Sequence, residues 1–162
     1  MIKRSYPFFI LMTLTSMAVL SSTTIAAQKI EEWKSNEIIK PAQLIKLLSG
    51  KSAEKPLVLQ VGFDFLYEGG HIDGSIHAGP ASRPDGIQSL KNAVKNVPKN
   101  KPIVIYCGCC PWVECPNIRP AFATLQSLGF RNVKALFLPV NFEHDWISKG
   151  YPTSKGSKPV SK

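Results

Sequence analysis

The sequence of 162 residues has no cysteine outside one short segment. All four cysteines fall in that segment, at Cys107, Cys109, Cys110 and Cys115. A small exported fold held together by disulfides spreads its cysteines so that they join distant segments. These four cannot do so, and they indicate local reactivity, a local metal site or a local crosslink.

Acidic residues are also scarce, with 11 against 20 basic residues and a formal net charge of +9. A basic balance can indicate binding to nucleic acid or attraction of anionic substrates. The lysines are scattered, however, and no basic stripe is interleaved with aromatic residues, as a single-strand binder requires. We therefore expect no nucleic-acid partner and a solvated basic surface that attracts small anions.

An apolar run long enough to cross a membrane is missing as well. Residues 1–27 begin with two basic residues, continue with an uncharged, mostly apolar stretch over 7–20, and end in small residues at Ala26 and Ala27. This order is typical of a secretory signal peptide. The apolar stretch of about 14 residues is shorter than the roughly 20 that a membrane helix needs, which favours cleavage over an uncleaved anchor. We expect an exported protein, periplasmic or secreted, with no membrane attachment after cleavage.

Apolar periodicity predicts that strands and helices alternate through the rest of the chain. We expect a flexible lead-in over 28–36, a single domain over 37–152 and a disordered tail over 153–162. Alternation of this kind is typical of an α/β domain with a parallel sheet covered on both faces. The predicted strands are 57–61, 103–106 and 133–138, and the predicted helices are 41–49, 63–68 (one or two turns), 85–96 with Asp85 as cap, 116–128 and 141–149.

The cysteines directly follow the predicted strand 103–106, at the edge of the sheet where such folds place their sites. A cysteine acts as a nucleophile through its thiolate, which the N–H groups and dipole of a helix N-terminus stabilise. Cys107 ends the strand, and Cys115 precedes Pro116, a favoured first helical residue. The spacing alone does not choose between them, and Cys107 with Cys110 also forms a C-x-x-C pair able to make a reversible disulfide.

The sequence contains fewer residue patterns typical of metal sites, phosphate binding or hydrolysis. Four thiolates can hold zinc or Cu(I), but structural zinc sites usually use two well-separated pairs, so we predict no resident metal or cofactor. No phosphate-cradling glycine motif and no Ser-His-Asp set is present. Arg119, one turn into the following helix, could present a forked donor to an anionic substrate. Trp112 in the loop could wall a pocket or contact a partner.

The segments PLVLQVG, EGGHIDGSIHAGP, IVIYC and DWISKGYPT, in this order, resemble the rhodanese-like domain family. EGGHIDGSIHAGP is the most specific, because it is similar to the family's glycine-His-Ile-Pro-Gly-Ala segment. The resemblance runs from about residue 39 to residue 152. It implies one domain with a parallel sheet of about five strands and helices on both faces. It also implies that the catalytic cysteine is Cys107, and that His71 helps to fix the active loop.

The resemblance further implies an activity. Cys107 would accept sulfur from a sulfane-sulfur donor such as thiosulfate, form a persulfide and pass the sulfur to a thiol or another acceptor. The resemblance places Gly108 in a loop that begins at Cys107 and whose N–H groups hold the anion. From their own positions, Trp112 in the loop and Arg119 in the following helix are expected to contact the substrate as well.

The sequence departs from the family pattern at three points. Gln60 and Gly62 replace the usual Asp and Arg, the loop is longer than usual, and it lacks its closing Arg. The extra thiols of Cys109, Cys110 and Cys115 suggest that one of them resolves the persulfide, which would release sulfide and require a thiol reductant protein as partner. Two alternatives remain open: a periplasmic thiol-disulfide oxidoreductase, since residues 106–110 superficially resemble a thioredoxin active site, and a soft-metal or metalloid binder.

Overall fold

Strands and helices alternate along residues 32–50 and 55–156, the parts of the chain that the computed structural model describes. The strands are β1 (Ile38–Ile39), β2 (Leu57–Gln60), β3 (His71–Ile72), β4 (Ile76–His77), β5 (Ile103–Tyr106), β6 (Val133–Leu136) and β7 (Thr153–Ser154). The α-helices are α1 (Pro41–Ser49), α2 (Asp64–Gly69), α3 (Pro84–Ala93), α4 (Ile118–Ser127) and α5 (Phe142–Asp145). Short 3-10 helices lie at Ser35–Glu37, Trp112–Glu114 and Ile147–Lys149.

Five strands form a parallel sheet in the order β1-β6-β5-β2-β4. Strands β3 and β7 form a separate antiparallel pair. The prediction of an α/β fold with a parallel sheet of five strands is thus confirmed. The strand β5 lies in the middle of this sheet, so the cysteines that follow it emerge at the centre of the sheet's carboxyl edge.

The side chains of β5 alternate between two apolar cores, as successive residues of a strand must. Ile103 and Ile105 face the core built with α3 and α4. Val104 and Tyr106 face the core that contains Leu44 of α1 and Trp146. All four residues of the strand are buried, which is typical of a parallel strand covered on both faces. Cys107 continues the alternation and packs into the first core.

Four of the five helix starts differ from the prediction, those of α2 and α5 by one residue, and the last predicted helix is divided into α5 and the 3-10 helix Ile147–Lys149. Arg83, not Asp85, is the N-cap residue of α3; its backbone is extended because it precedes Pro84, which takes the first helical position. The Asp85 carboxylate instead accepts a hydrogen bond from Arg83 Nε at 3.1 Å. The helix α4 begins at Ile118 with Asn117 as its cap residue, later than predicted.

The ordered domain also extends beyond the predicted boundaries. In the predicted lead-in, Ser35–Glu37 forms a 3-10 helix, and Trp33 packs edge-on against Phe122 with ring centroids 5.0 Å apart. In the predicted tail, Thr153–Ser154 pairs with β3. The proposed signal peptide and residues 157–162 lie outside the described residues. No helix within the described ranges is long and apolar enough to span a membrane.

Candidate active site

The cysteine loop, residues 107–117, joins β5 to α4. Gly108 has a φ of +76°, and a Cβ there would lie 2.5 Å from Phe142 Cβ, so no other residue fits without displacement. The Phe142 N–H donates to the Gly108 carbonyl at 3.1 Å. This hydrogen bond and the close packing therefore hold the first turn of the loop against the start of α5.

Three of the four sulfurs converge. The Sγ atoms of Cys107, Cys109 and Cys115, here called the sulfur trio, all lie within 4.8 Å of one another. Cys107 Sγ is 3.2 Å from Cys109 Sγ, and Cys109 Sγ is 2.9 Å from Cys110 Sγ. All four cysteines are free thiols. The structure thus brings every predicted cysteine to one site.

Of the sulfur trio, Cys115 has the surroundings that most favour a thiolate. Hydrogen bonds from the Cys107 and Cys109 thiols, together with the backbone N–H groups of Asn117 and Ile118, lower the pKa of Cys115. Those two N–H groups are the unpaired donors at the start of α4, which stabilise an anion at this position. The predicted contact between Cys115 and the N-terminus of the helix is therefore present.

Cys107 is a buried thiol, only 3% exposed. The hydrogen bond with Cys109 lowers the pKa of Cys107, but the hydrogen bond with Cys115 and burial outweigh it, so the net pKa is raised. Asn117 Nδ2 donates to Cys107 Sγ at 3.3 Å. The side-chain oxygen of Asn117 accepts the Ser82 N–H at 2.9 Å, which fixes the orientation of the amide.

A cavity of about 320 Å³ opens beside Cys107. Apolar side chains form much of its wall, and Phe65 stands 64% exposed at one side. Glu143 contributes the one ionisable carboxylate among the lining residues, and none of them is Lys, Arg or His. The lining residues are Gln60, Phe65, Leu66, Gly69, Gly70, Tyr106, Cys107, Gly108, Cys109, Asn141, Phe142, Glu143 and Ile147.

A family model for the rhodanese-like domain matches residues 40–136, more than half of the chain. The chain belongs to the rhodanese-like domain family. A comparison with curated proteins gives no match.

Solved structures agree on the fold. The rhodanese-like domain of the Alr3790 protein from Anabaena sp. has a TM-score of 0.55 at 22% identity, over 78% of this chain and 86% of that one. A thiosulfate sulfurtransferase from Pseudomonas aeruginosa has a TM-score of 0.56 at 22% identity, over 77% of this chain but 20% of that one. An EanB structure with a cysteine persulfide and ergothioneine has a TM-score of 0.54 at 23% identity, over 73% of this chain and 28% of that one.

Of the other predicted site residues, Trp112 lies against the cysteine loop and Arg119 lies away from the cavity. Trp112 walls the loop: it packs between Trp33 and Phe137, with ring centroids 5.3 and 5.2 Å away. Arg119 does not line the cavity beside Cys107. Its guanidinium lies over the Trp33 ring at 4.9 Å, a cation–π contact on the outside of α4.

His71 supports the β3 segment. Its ring is buried, stacks on Tyr67 with centroids 3.7 Å apart, and its Nδ1 is 2.7 Å from the Tyr67 carbonyl. The neighbouring Ile72 N–H donates to Tyr106 Oη at 3.0 Å. His71 therefore contacts Tyr67, whereas the neighbouring Ile72 makes the hydrogen bond to Tyr106, the last residue of β5.

Sequence reasoning missed two residues of the site. Asn117 is fully buried against Cys107, and its sequence signal was an asparagine at the start of a helix, where a cap is favoured. At Gly62 a Cβ would lie 2.9 Å from Cys107 Sγ and 2.8 Å from Gln60 Nε2. The contact of Gly62 is with a residue that is distant in the sequence, so no local sequence pattern predicts it.

Proposed function

We propose that this rhodanese-like domain is a sulfurtransferase that forms a persulfide on Cys107. The observation that carries the proposal is the position of this sulfur: it ends the central strand, borders a cavity, and has an amide donor and a second thiol within 3.3 Å. Those contacts are suited to hold a sulfur anion and to receive the atom it carries.

Sulfur transfer begins with attack by the Cys107 thiolate on the sulfane sulfur of a donor. A new S–S bond forms, the donor's own S–S bond breaks, and the leaving group departs with the electron pair; for thiosulfate the leaving group is sulfite. The Cys107 proton must first leave, along the hydrogen bond to Cys115 or to solvent. The Asn117 amide then stabilises the sulfur anion at Cys107 through a charge-assisted hydrogen bond.

The charge and polarity of the cavity wall affect which sulfur donor can bind. A dianion such as thiosulfate would enter beside Glu143 without a basic side chain to pair with it. We therefore expect thiosulfate to be a weak donor, and a small organic persulfide, which can place an apolar part against Phe65 and Phe142, to be a better one. The acceptor is a thiol.

Cys109 is the thiol that we assign to resolution, because its Sγ is 3.2 Å from Cys107 Sγ. Its thiolate attacks Cys107 Sγ, a Cys107–Cys109 disulfide forms, and hydrosulfide leaves with the outer sulfur. Cys110 and Cys115 can then exchange with this disulfide. A dithiol protein would have to reduce the disulfide before the next cycle. Residues 1–27 support a proposal that the protein works after export, in the periplasm or outside the cell, where the reductant would have to be supplied against an oxidising environment.

Thiol-disulfide exchange with a protein substrate is the second candidate function. The close contact of Cys109 with both Cys107 and Cys110 favours it. Insulin reduction, measured without any sulfur donor, would detect this activity.

Intact mass after treatment with each donor tests the main proposal. The reduced Cys109→Ser chain, which lacks the resolving thiol, should gain one sulfur atom, which fragmentation of the loop peptide should place on Cys107. Adding Cys107→Ser to this chain should abolish the gain, whereas adding Cys110→Ser, a matched change in the same loop, should leave the persulfide in place. A full sulfur gain in Cys107→Ser would refute the assignment.

A further inference from the structure

The sulfur trio presents three donors to one point, and the fourth thiol, Cys110, has its Sγ 2.9 Å from Cys109 Sγ but lies outside the group whose ligand atoms are within 4.8 Å of one another. No His or carboxylate of residues 32–50 and 55–156 joins that group. A gap of about 10 Å³ between Cys107, Cys110 and Cys115, closed by Trp112, Leu136 and Leu138, has room for about one small atom rather than a hydrated ion. The site therefore fits a three-coordinate centre that carries no water.

The net charge of the filled site differs among the soft elements that three thiolates can bind. Three thiolates leave a net charge of −2 around Cu(I) and −1 around Zn²⁺, but zero around a trivalent metalloid. Burying a net charge without a partner is costly, and the lining of the gap and of the adjacent cavity contains no basic side chain. The site therefore favours a neutral centre, which is the one that three thiolates form with a trivalent metalloid.

One sulfur–sulfur distance agrees with that preference. Zinc bonds of about 2.3 Å in a tetrahedral site hold thiolates about 3.8 Å apart. Cys107 Sγ and Cys109 Sγ are closer, at 3.2 Å. Trivalent arsenic keeps its three ligands on one side at nearly right angles, so its sulfurs stand nearer to each other than those of a tetrahedral site.

We propose that Cys107, Cys109 and Cys115 form a binding site for trivalent arsenic, taken up as arsenite. Three As–O bonds of arsenous acid break and three As–S bonds form. The thiol protons leave with the hydroxyl groups as water, and where Cys115 is already a thiolate one hydroxide leaves instead. Arsenic stays trivalent, so the step needs no oxidant or reductant. Because the site is argued from three sulfurs and not from persulfide chemistry, it stands independently of sulfur transfer.

Titration of the reduced full chain with arsenite tests the site. The sulfur-to-arsenic absorbance in the near ultraviolet should saturate at one equivalent, and the native mass should increase by one arsenic with the loss of three protons. Cys109→Ser and Cys115→Ser should each weaken binding roughly 100-fold, because a tethered third ligand adds that order of effective concentration. Cys110→Ser tests the choice of the three sulfurs: it should keep tight one-to-one binding, and a loss as large as that of Cys109→Ser would assign the third ligand to Cys110 and overturn the trio.

Two results would overturn the proposal. One is an unchanged arsenite affinity in both Cys109→Ser and Cys115→Ser, which would indicate a site made by other thiols. The other is tight one-to-one binding of Zn²⁺ or Cu(I) that excess arsenite does not displace. Circular dichroism on each variant shows whether a loss of binding comes from a loss of folding. Cys109 and Cys115 are partly exposed, so their variants can be tested even if substitution of the buried Cys107 prevents folding.

Discussion

Gly62 leaves open the space that Cys107 Sγ occupies: a Cβ at position 62 would lie 2.9 Å from that sulfur. The side-chain amide of Gln60 closes the same space from another side, 2.8 Å from the same point. A larger residue at position 62 would therefore displace Cys107 Sγ, the Gln60 amide or both.

Gly62→Ala should consequently both destabilise the protein and impair persulfide formation. We expect a loss of about 1–3 kcal/mol in the free energy of unfolding, the usual cost of overpacking. Urea unfolding measures the loss. Gly69→Ala is the matched stability control: its Cβ would meet nothing within 4 Å, so the free energy of unfolding should hold or rise slightly. Equal stability of the two variants would contradict the close approach.

The pH dependence of persulfide formation should identify the reacting sulfur. Because the net pKa of Cys107 is raised, the rate should climb with pH from neutral into the alkaline range. Cys115→Ser removes a hydrogen bond and a charge that raise the pKa of Cys107, so its thiolate fraction and its rate at neutral pH should increase. The measurement is the rate at which the donor's leaving group is released across that range, which reports the attack on the donor before Cys109 resolves the persulfide. Loss of the persulfide in Cys115→Ser would instead make Cys115 the nucleophile.

Asn117→Asp should slow the same reaction. The carboxylate keeps an acceptor for the Ser82 N–H, but it removes the donor to Cys107 Sγ and places a negative charge beside it. A rise of one pKa unit at Cys107 would lower the thiolate fraction roughly tenfold at neutral pH. The pH profile should shift to higher pH, which loss of structure alone would not produce. Asn92→Asp adds the same charge on exposed α3 and should leave the profile in place.

Trp33→Ala should destabilise the domain by about 2 kcal/mol, less than truncation of a fully buried tryptophan, because Trp33 is half-buried. The ring contacts Trp112 and Phe122 and carries Arg119 on its face. Thermal unfolding checks the prediction, and Glu32→Ala, an exposed neighbour, should have little effect. If Trp33→Ala unfolds like the native chain, its packing contributes nothing to stability.

The fold was largely predictable because its signals are local. The apolar run of β5 and the spacing of apolar residues in α1 and α4 follow from burial on one face or two. The start of α3 was also readable, since Pro84 favours the first helical position and disfavours helix at Arg83. Choosing Asp85 as the cap overlooked that signal.

The site was predictable in its residues but not in its arrangement. Four clustered cysteines after a strand identify an active loop, but their sulfur distances depend on the loop backbone, which carries no periodicity. The contact of Trp33 with α4 was missed because a single aromatic residue in a polar stretch carries no pattern. Gly62 and Asn117 act on Cys107 across the fold, where only tertiary structure makes neighbours.

Phe142, whose N–H holds the Gly108 carbonyl, lies beyond residue 136, where the match to the family model ends. A ribosome completes the four cysteines before it reaches Phe142. During synthesis and any export that follows, these thiols are therefore present before the contact that holds their loop. An oxidant or a soft ion that meets the growing chain can trap them in another arrangement, so the yield of active protein should depend on the redox conditions under which it is made.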